Sequence, residues 1–500
     1  MKDIDIKLTK VNESYVRVEC NTSILLELRD KFSFMVDGYR FSPKYKYGAW
    51  DGKICMMQKD LLPLGLVDAL LVIANNYQYE VETDPLLNTD PYFTKDEYFN
   101  EWIDDHPVYD KQNQIEPYWY QKDAVRYGID KKRCILNLPT SAGKSLIQGL
   151  ISKWFTETYK KNVLLLVPTI ALTDQMEDDL VNYRLFDYDD INIVRGGSTD
   201  NPNARITIGT WQSICKRGPE FMSQFGMLLV DECHLSTGKT ISDIVKILTN
   251  CEYKIGLSGS LKDGKANSMT YVGLFGSTFA PVTTRQLADE GYVSDLDIKM
   301  LFLKHDATTC KLMKGKNYAD EIKYITHSAP RMKFVCSLAN KLAKKDENVL
   351  LLFKHITHGR ELYERLCKLH GKENVEFVDG SVKREDRVHI SRSTENVNGR
   401  IIVASYGTTS TGISIKKLHH VILAHPVKSK ITIIQSIGRL LRKHDTKQKA
   451  QIWDLVDSLT VDTKSGKPGK YKNYCLKHGL VRMSLYIEQQ FNYVTRKIDL

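Results

Sequence analysis

The hydrophobic positions of this chain cluster in short apolar runs instead of long periodic stretches. Val163-Leu164-Leu165-Leu166-Val167 and Met227-Leu228-Leu229-Val230 contain no polar residue, the pattern of a strand covered on both faces in a parallel sheet. Residues 134–138 and 206–208 read the same way, with helix-like stretches between the four runs. A second series at 348–353, 375–378, 401–403 and 420–424 repeats this organisation. Strands alternating with helical segments form βαβ units, so the pattern predicts an α/β chain of two lobes, each on a parallel sheet.

The flanks differ. Residues 1–100 alternate short apolar runs with Lys, Arg and Tyr and end in the turn-rich Asp84-Pro85-Leu86-Leu87-Asn88-Thr89-Asp90-Pro91, which predicts a small α+β accessory domain. The first lobe is expected over 101–290 and the second over 291–460. Around 287–297, Gly291 and mixed charges interrupt the strand pattern and suggest the hinge. Beyond Ser465-Gly466-Lys467-Pro468-Gly469 a tyrosine-bearing tail, 461–500, is expected to be a short helical segment.

Composition narrows the class. Five hundred residues exceed what one core organises. A content of 42% hydrophobic and 26% charged residues is that of a soluble globular protein, and the apolar runs are far too short to span a bilayer. Met1-Lys2-Asp3-Ile4-Asp5 mixes charges and lacks a secretory apolar run, so a cytoplasmic location is expected. The 10 cysteines are scattered without a Cys-x-x-Cys pair, which predicts buried thiols in place of a zinc ribbon or disulfide framework. The excess of 71 Lys and Arg over 61 Asp and Glu, a net +10, suits a polyanionic partner, although such a balance also serves solubility.

The chemistry sits at the ends of the predicted strands. After residue 138 comes Pro139-Thr140-Ser141-Ala142-Gly143-Lys144-Ser145, then the helix-like Leu146-Ile147-Gln148-Gly149-Leu150-Ile151. A strand, a tight turn and a helix start make an anion cradle from unpaired amides and the helix dipole. Lys144 is expected at the β/γ-phosphates and Ser145 on Mg²⁺. Leu138 stands where the usual G-x-x-x-x-G-K-[ST] pattern has its first glycine. Asp231-Glu232-Cys233-His234 directly follows the run 227–230. There Asp231 is expected to help hold Mg²⁺ and Glu232 to activate the attacking water. A lone acidic pair more often caps a helix, but this one follows a phosphate-binding lysine at a distance that suits several βα units. In the second lobe, Gln435-Ser436-Ile437-Gly438-Arg439-Leu440-Leu441-Arg442 puts two arginines three apart on one helical face. They fit arginine fingers reaching a γ-phosphate, and they fit a basic surface helix equally well.

Together these residues resemble the superfamily-2 helicases over roughly 116–455, with Asp231-Glu232-Cys233-His234 as a DECH variant of their acidic box. More narrowly, the phosphate loop, the acidic box, Gly256-Leu257-Ser258-Gly259-Ser260-Leu261 and Tyr47-Gly48-Ala49-Trp50-Asp51-Gly52 resemble the recombination helicases of T-even-type phages almost end to end. The resemblance implies two RecA-like lobes, ATP with Mg²⁺ as cofactors, and Gln121 at the adenine. It implies DNA-backbone contacts at Pro168, Thr169, Thr210 and Thr411, coupling through Ser258-Gly259-Ser260, and Gly412 beside the nucleotide. It places Phe353-Lys354-His355, Ser405-Tyr406-Gly407 with Thr411-Gly412-Ile413-Ser414, and Gln435 to Arg442 at the second lobe's motifs. The departures are Leu138, Gly259 and Ser414.

The function implied is an ATP-dependent DNA helicase acting as a monomer on forks, Holliday junctions and R-loops in replication, recombination and repair, in the host cell cytoplasm. A double-strand translocase or an ATP-gated branched-DNA binding protein would use the same motifs. In Tyr39-Arg40-Phe41-Ser42-Pro43-Lys44-Tyr45-Lys46-Tyr47 aromatics interleave with cations. With Lys53, Lys44 and Lys46 are candidates for gripping DNA; an amphipathic strand with inward tyrosines fits the same pattern.

Overall fold

The computed structural model describes residues 4–500 except 37, 89, 111, 196–199, 237–238, 260, 262–264, 412–414, 442–446, 448 and 462–468, and it leaves aside the side chains of 239, 265–267, 384, 388, 409–411, 431, 435 and 439. The chain divides into two compact units, Met1–Leu138 with Ala142–Pro281, and Val282–Leu500 with Pro139–Ser141.

The first unit opens with an α+β domain built from strands β1 (Ile6–Lys10), β2 (Tyr15–Cys20), β3 (Ser33–Met35), β4 (Lys53–Cys55), β5 (Leu61–Pro63) and β6 (Val81–Thr83). Its main sheet runs β5-β2-β1-β6, antiparallel except for the β1–β6 pair. Period-two alternation buries Ile6 and Leu8 of β1 and Val16 and Val18 of β2 on one face. Helices Thr22–Lys31 and Val67–Asn76 cover that face with Leu28 and Leu70. Strands β3 and β4 form a separate antiparallel pair.

A hairpin, β7 (Val108–Asp110) with β8 (Asn113–Ile115), leads into the first lobe. There β9 (Arg133–Asn137), β10 (Asn162–Val167), β11 (Ile191–Val194), β12 (Ile206–Thr210), β13 (Phe225–Val230), β14 (Tyr253–Ser258) and β15 (Thr278–Phe279) form a seven-stranded sheet, β11-β12-β10-β13-β14-β9-β15. Every pairing in it is parallel, and every residue of β13 is buried.

The second unit repeats the plan with β16 (Asp295–Lys304), β17 (Val349–Phe353), β18 (Val375–Val378), β19 (Ile401–Ser405), β20 (His420–Leu423), β21 (Lys449–Ser458) and β22 (Asn492–Asp499). They form a second seven-stranded parallel sheet, β18-β19-β17-β20-β21-β16-β22. The expected two-lobed α/β architecture is therefore present.

The units part between Pro281 and Val282, just ahead of the stretch 287–297, which runs from the end of helix Thr284–Asp289 to the start of β16 at Asp295. One expectation needs correcting. Among the described residues, the C-terminal segment is helical over Tyr474–Glu488, after which β22 pairs along β16 and completes the sheet. Tyr493, Val494 and Thr495 supply the β propensity for this strand. Among the described residues, no helix is long and apolar enough to cross a membrane. All ten cysteines stand outside disulfides, and most are buried.

Candidate active site

In a parallel sheet all strands end at the same edge, where ligands bind. The phosphate loop follows β9, Pro168 and Thr169 follow β10, Thr210 ends β12, the acidic box follows β13, and Ser258 ends β14. Because β14 lies between β13 and β9, Ser258 stands between the phosphate loop and the carboxylates. Its carbonyl accepts from Leu138 N at 2.9 Å, and its hydroxyl donates to Glu232 Oε2 at 3.4 Å.

Leu138 is fully buried, so the glycine position of the usual pattern serves here as core, and the turn begins after it. Pro139, Thr140, Ser141 and Ala142 lead to Gly143, with left-handed φ of 73° at Ser141 and 77° at Gly143. Gly143 precedes helix Lys144–Tyr159, whose first amides have no partner within the helix and suit phosphate. A Cβ on Gly143 would lie 2.2 Å from Gln121 Nε2. That amide donates to Ala142 O at 2.9 Å, while Gln121 Oε1 accepts from Tyr118 N at 2.9 Å. The residue expected at the adenine also braces the phosphate loop. The Ser145 hydroxyl lies 3.0 Å from that of Tyr183. Sequence reasoning missed Tyr183; its only signal is its place just beyond helix Ile170–Asn182, which follows Thr169.

The two carboxylates have opposite environments. Burial, then the charge of Glu232, pushes Asp231 up to about 7 against the pull of the Lys144 ammonium. For Glu232 burial also opposes ionisation, but the His234 hydrogen bond and the charges of Lys144 and His234 outweigh it, so its carboxyl lies below the usual range. Glu232 adopts a left-handed φ of 50°, a strained value for a non-glycine residue. His234 Nδ1 holds it, 3.1 Å from Glu232 Oε2 and 3.0 Å from Ser258 Oγ. His234 is itself fixed by Tyr271 Oη, which donates to its carbonyl at 3.1 Å. Gly256 makes room for the box, since a Cβ there would lie 2.8 Å from Cys233 Cβ. His234 and Ser258 join the site through tertiary contacts, although both lie in motifs readable from the chain.

Whether the site suits magnesium is tested by its donors. Asp231 Oδ1 is buried without a hydrogen-bond partner, an acceptor left for a cation, and the Ser145 hydroxyl offers a second oxygen. Oxygen-only ligation fits Mg²⁺, which takes one or two protein ligands and completes its shell with phosphates and water. Among the described residues, no group of three or more His, Cys, Asp or Glu forms a cage that could hold a metal alone.

At the same edge, Thr169 Oγ1 is buried and unpartnered, while Ile170 beside it is exposed. Thr210 is buried, and its hydroxyl accepts from Ser213 N at 3.3 Å as a helix cap. In the second lobe Phe353 ends β17 fully buried, and Ser405 Oγ lies 2.9 Å from Thr408 Oγ1. Helix Lys430–Leu440 carries the arginine motif. Gly412 and Arg442, and the side chains of Thr411, Gln435 and Arg439, lie outside the described residues.

In the N-terminal domain, Lys44 and Lys46 sit on the short helix Pro43–Lys46 and Lys53 opens β4. All three are exposed, with Lys53 Nζ 3.3 Å from Asp30. The segment is not an amphipathic strand with inward tyrosines: Phe41 is 82% and Tyr47 87% exposed.

Comparison with known proteins agrees with this geometry. Residues 4–84 match the family described as DNA helicase UvsW, N-terminal; residues 114–263 match type III restriction enzyme, res subunit; residues 330–444 match helicase conserved C-terminal domain. The ATP-dependent DNA helicase uvsW of Enterobacteria phage T4 is 48% identical over 506 residues, covering 99% of this chain and 100% of the relative. The crystal structure of T4 UvsW aligns with a TM-score of 0.54 at 46% identity, over 99% of this chain and 100% of that one. A fragment of a putative HsdR subunit of a type I restriction enzyme from Vibrio vulnificus YJ016 aligns with a TM-score of 0.57 at 18% identity, over 81% of this chain and 72% of that one, a likeness of fold alone. With 48% identity over 99% of its length and three matched helicase families along it, the chain belongs to the UvsW family of superfamily-2, ATP-dependent DNA helicases.

Proposed function

We propose that this helicase uses ATP with Mg²⁺ to unwind or branch-migrate branched DNA, namely forks, Holliday junctions and R-loops, in replication, recombination and repair, acting as a monomer in the host cell cytoplasm. The observation that carries the chemistry is the unpartnered, buried Asp231 oxygen beside the charge of Lys144. Bound magnesium would supply charge neutralisation at the phosphates, held through Ser145 and Asp231. Lys144 and the amides after Gly143 bind the phosphates. Glu232, kept ionised by His234, orients and deprotonates the attacking water. Arg439 and Arg442, with Gln435 beside them, reach the γ-phosphate, where such fingers are worth about 10³ to 10⁵ in rate. Gln121 and Gly412 complete the nucleotide contacts. Pro168, Thr169, Thr210 and Thr411 contact the DNA backbone, which favours grip without sequence preference.

ATPase and strand displacement are to be measured on fork, Holliday junction, R-loop, duplex and single-stranded DNA, with Lys144→Ala as control. Branched substrates should give the highest displacement rates, and Lys144→Ala should fold but hydrolyse no ATP. Near-normal hydrolysis by that variant would sink the site assignment. Hydrolysis on duplex without strand separation would make the protein a double-strand translocase.

A further inference from the structure

The arginine-bearing helix Lys430–Leu440 is joined to β20 by residues 424–429, an irregular connector that contains Pro426. Three of its carbonyls are held by side chains from elsewhere in the second unit. Arg331 Nη2 donates to Ala424 O at 2.8 Å, Tyr406 Oη to His425 O at 3.1 Å, and Arg482 Nη1 to Val427 O at 2.6 Å. The connector ends at Ser429, whose hydroxyl caps the helix by accepting from Thr432 N at 3.2 Å.

Both arginines are 1% exposed, and each is balanced by a buried aspartate of β21. Arg331 Nε donates to Asp457 Oδ1 at 2.8 Å. Arg482 grips Asp454 through Nε at 2.8 Å and Nη2 at 2.6 Å, and Tyr486 Oη also donates to Asp454 at 2.9 Å. Because β21 is the parallel neighbour of β20, with Leu423 opposite Asp454, the counter-charges stand next to the strand from which the connector leaves.

Such pairs are poor investments in stability, because well-packed apolar side chains of similar volume serve as well or better. What an apolar pair cannot do is present further N–H groups in a fixed plane. Both guanidiniums point theirs at one connector, and both lie outside the helicase motifs, Arg331 on helix Ala329–Ala343 and Arg482 on the C-terminal helix Tyr474–Glu488. We infer that Arg331 and Arg482 are positioning residues that fix the connector 424–429 and thereby hold the arginine helix Lys430–Leu440 in place within the second unit. This rests on the reading of Arg439 and Arg442 as fingers. It gives the C-terminal helix a part in ATP hydrolysis, through Val427, without touching substrate.

The test separates kcat from binding in the full-length protein. Arg482→Lys keeps a charge opposite Asp454 but lacks the arm that reaches Val427. It should lower DNA-stimulated kcat by about 10- to 100-fold, the cost of a small misplacement at a reacting centre, with melting temperature, ATP KM and the affinity for a fluorescent ADP analogue unchanged. The triple variant Asp454→Leu, Arg482→Met, Tyr486→Phe removes the pair as a unit, keeps the fold, and should show the same kcat loss. Arg439→Ala and Arg442→Ala report on the finger reading separately: full kcat in both overturns that reading. If the fingers are needed and either folded Arg482 variant keeps full kcat, the positioning role is overturned. If kcat falls only in step with melting temperature and nucleotide affinity, Arg482 is structural alone, and the inference fails on that result too.

Discussion

Ser145 has two demands on its hydroxyl. Its oxygen is the proposed magnesium ligand, and it lies 3.0 Å from the Tyr183 hydroxyl. Burial pushes the Tyr183 phenol up to about 12, so Tyr183 stays neutral at working pH and can keep the Ser145 rotamer turned one way. Tyr183→Phe removes a neutral hydrogen bond, worth about 0.5–1.5 kcal/mol, and should raise the magnesium concentration for half-maximal binding of a fluorescent ATP analogue by about 2- to 10-fold. The fold should be untouched. Unchanged magnesium dependence would show that this bond does not orient Ser145. The contrast with Lys144 and Asp231 explains what could be read from the chain. Those two announce themselves through their neighbours, in a loop and a strand end of fixed local geometry. Tyr183 acts from 38 positions away, and the Gln121 amide turned out to spend its donor on Ala142 O, because tertiary contacts decide which partner a side chain meets.

Strands were legible where both faces are covered and illegible where something interrupts the run. β10, β13 and β17 read directly as apolar. β14, Tyr253-Lys254-Ile255-Gly256-Leu257-Ser258, hides behind a lysine that is itself buried, its ammonium donating to Glu13 O, Ser14 Oγ and Val245 O. β16 alternates buried and half-buried positions beside the edge strand β22, which is mostly exposed. The elements of the second lobe also carry a pH dependence. His358, at the start of helix Ile356–His370, and His425, beyond β20, lie within a ring-contact distance of 6.3 Å. Burial first, then neighbouring positive groups such as Arg331 and His355, lowers both to about 3. An unfolded histidine near 6.5 binds a proton that the folded one refuses, so the unfolded state takes up more protons between pH 6.5 and 3. The contribution is fully present above about pH 6.5 and is lost as pH falls towards 3. Denaturant unfolding followed from pH 7 to 4.5 should show second-lobe stability declining across that window, and His358→Asn with His425→Asn should flatten the decline. An identical slope in wild type and variant would exclude these histidines as the cause.

At the scale of the first unit, the N-terminal domain is docked on the lobe that carries the phosphate loop and is not hung from it by a linker. Glu13 N donates to Thr249 O at 2.9 Å and Ser14 Oγ to Lys246 O at 3.1 Å. Lys254, which burial and the Arg133 charge pull down to about 7, reaches into the same turn. Met269 and Val272 of the lobe pack against the domain's own core. At Gly65 the two surfaces come so close that a Cβ would lie 2.0 Å from Val272 O. A DNA-gripping face on this domain would therefore travel with the first lobe through each ATP cycle. Lys44, Lys46 and Lys53, with exposed Phe41 and Tyr47 alongside, are proposed as such a face, which would neutralise phosphates and stack on unpaired bases. Each phosphate neutralised contributes about 0.9 to the slope of log affinity against log salt on duplex. The variant with all three lysines changed to Ala should bind forked DNA more weakly at low salt, with a slope shallower by about 1 to 3 depending on how many lysines reach phosphates. Its ATPase without DNA should equal that of the wild type, because none of the three lies near the phosphate loop in sequence or takes part in its hydrogen bonds. Fluorescence anisotropy across a salt series decides it. Equal affinity and equal slope would exclude these lysines from the DNA grip, whereas a weaker grip with unchanged basal hydrolysis would mean that this domain selects the DNA on which the motor works.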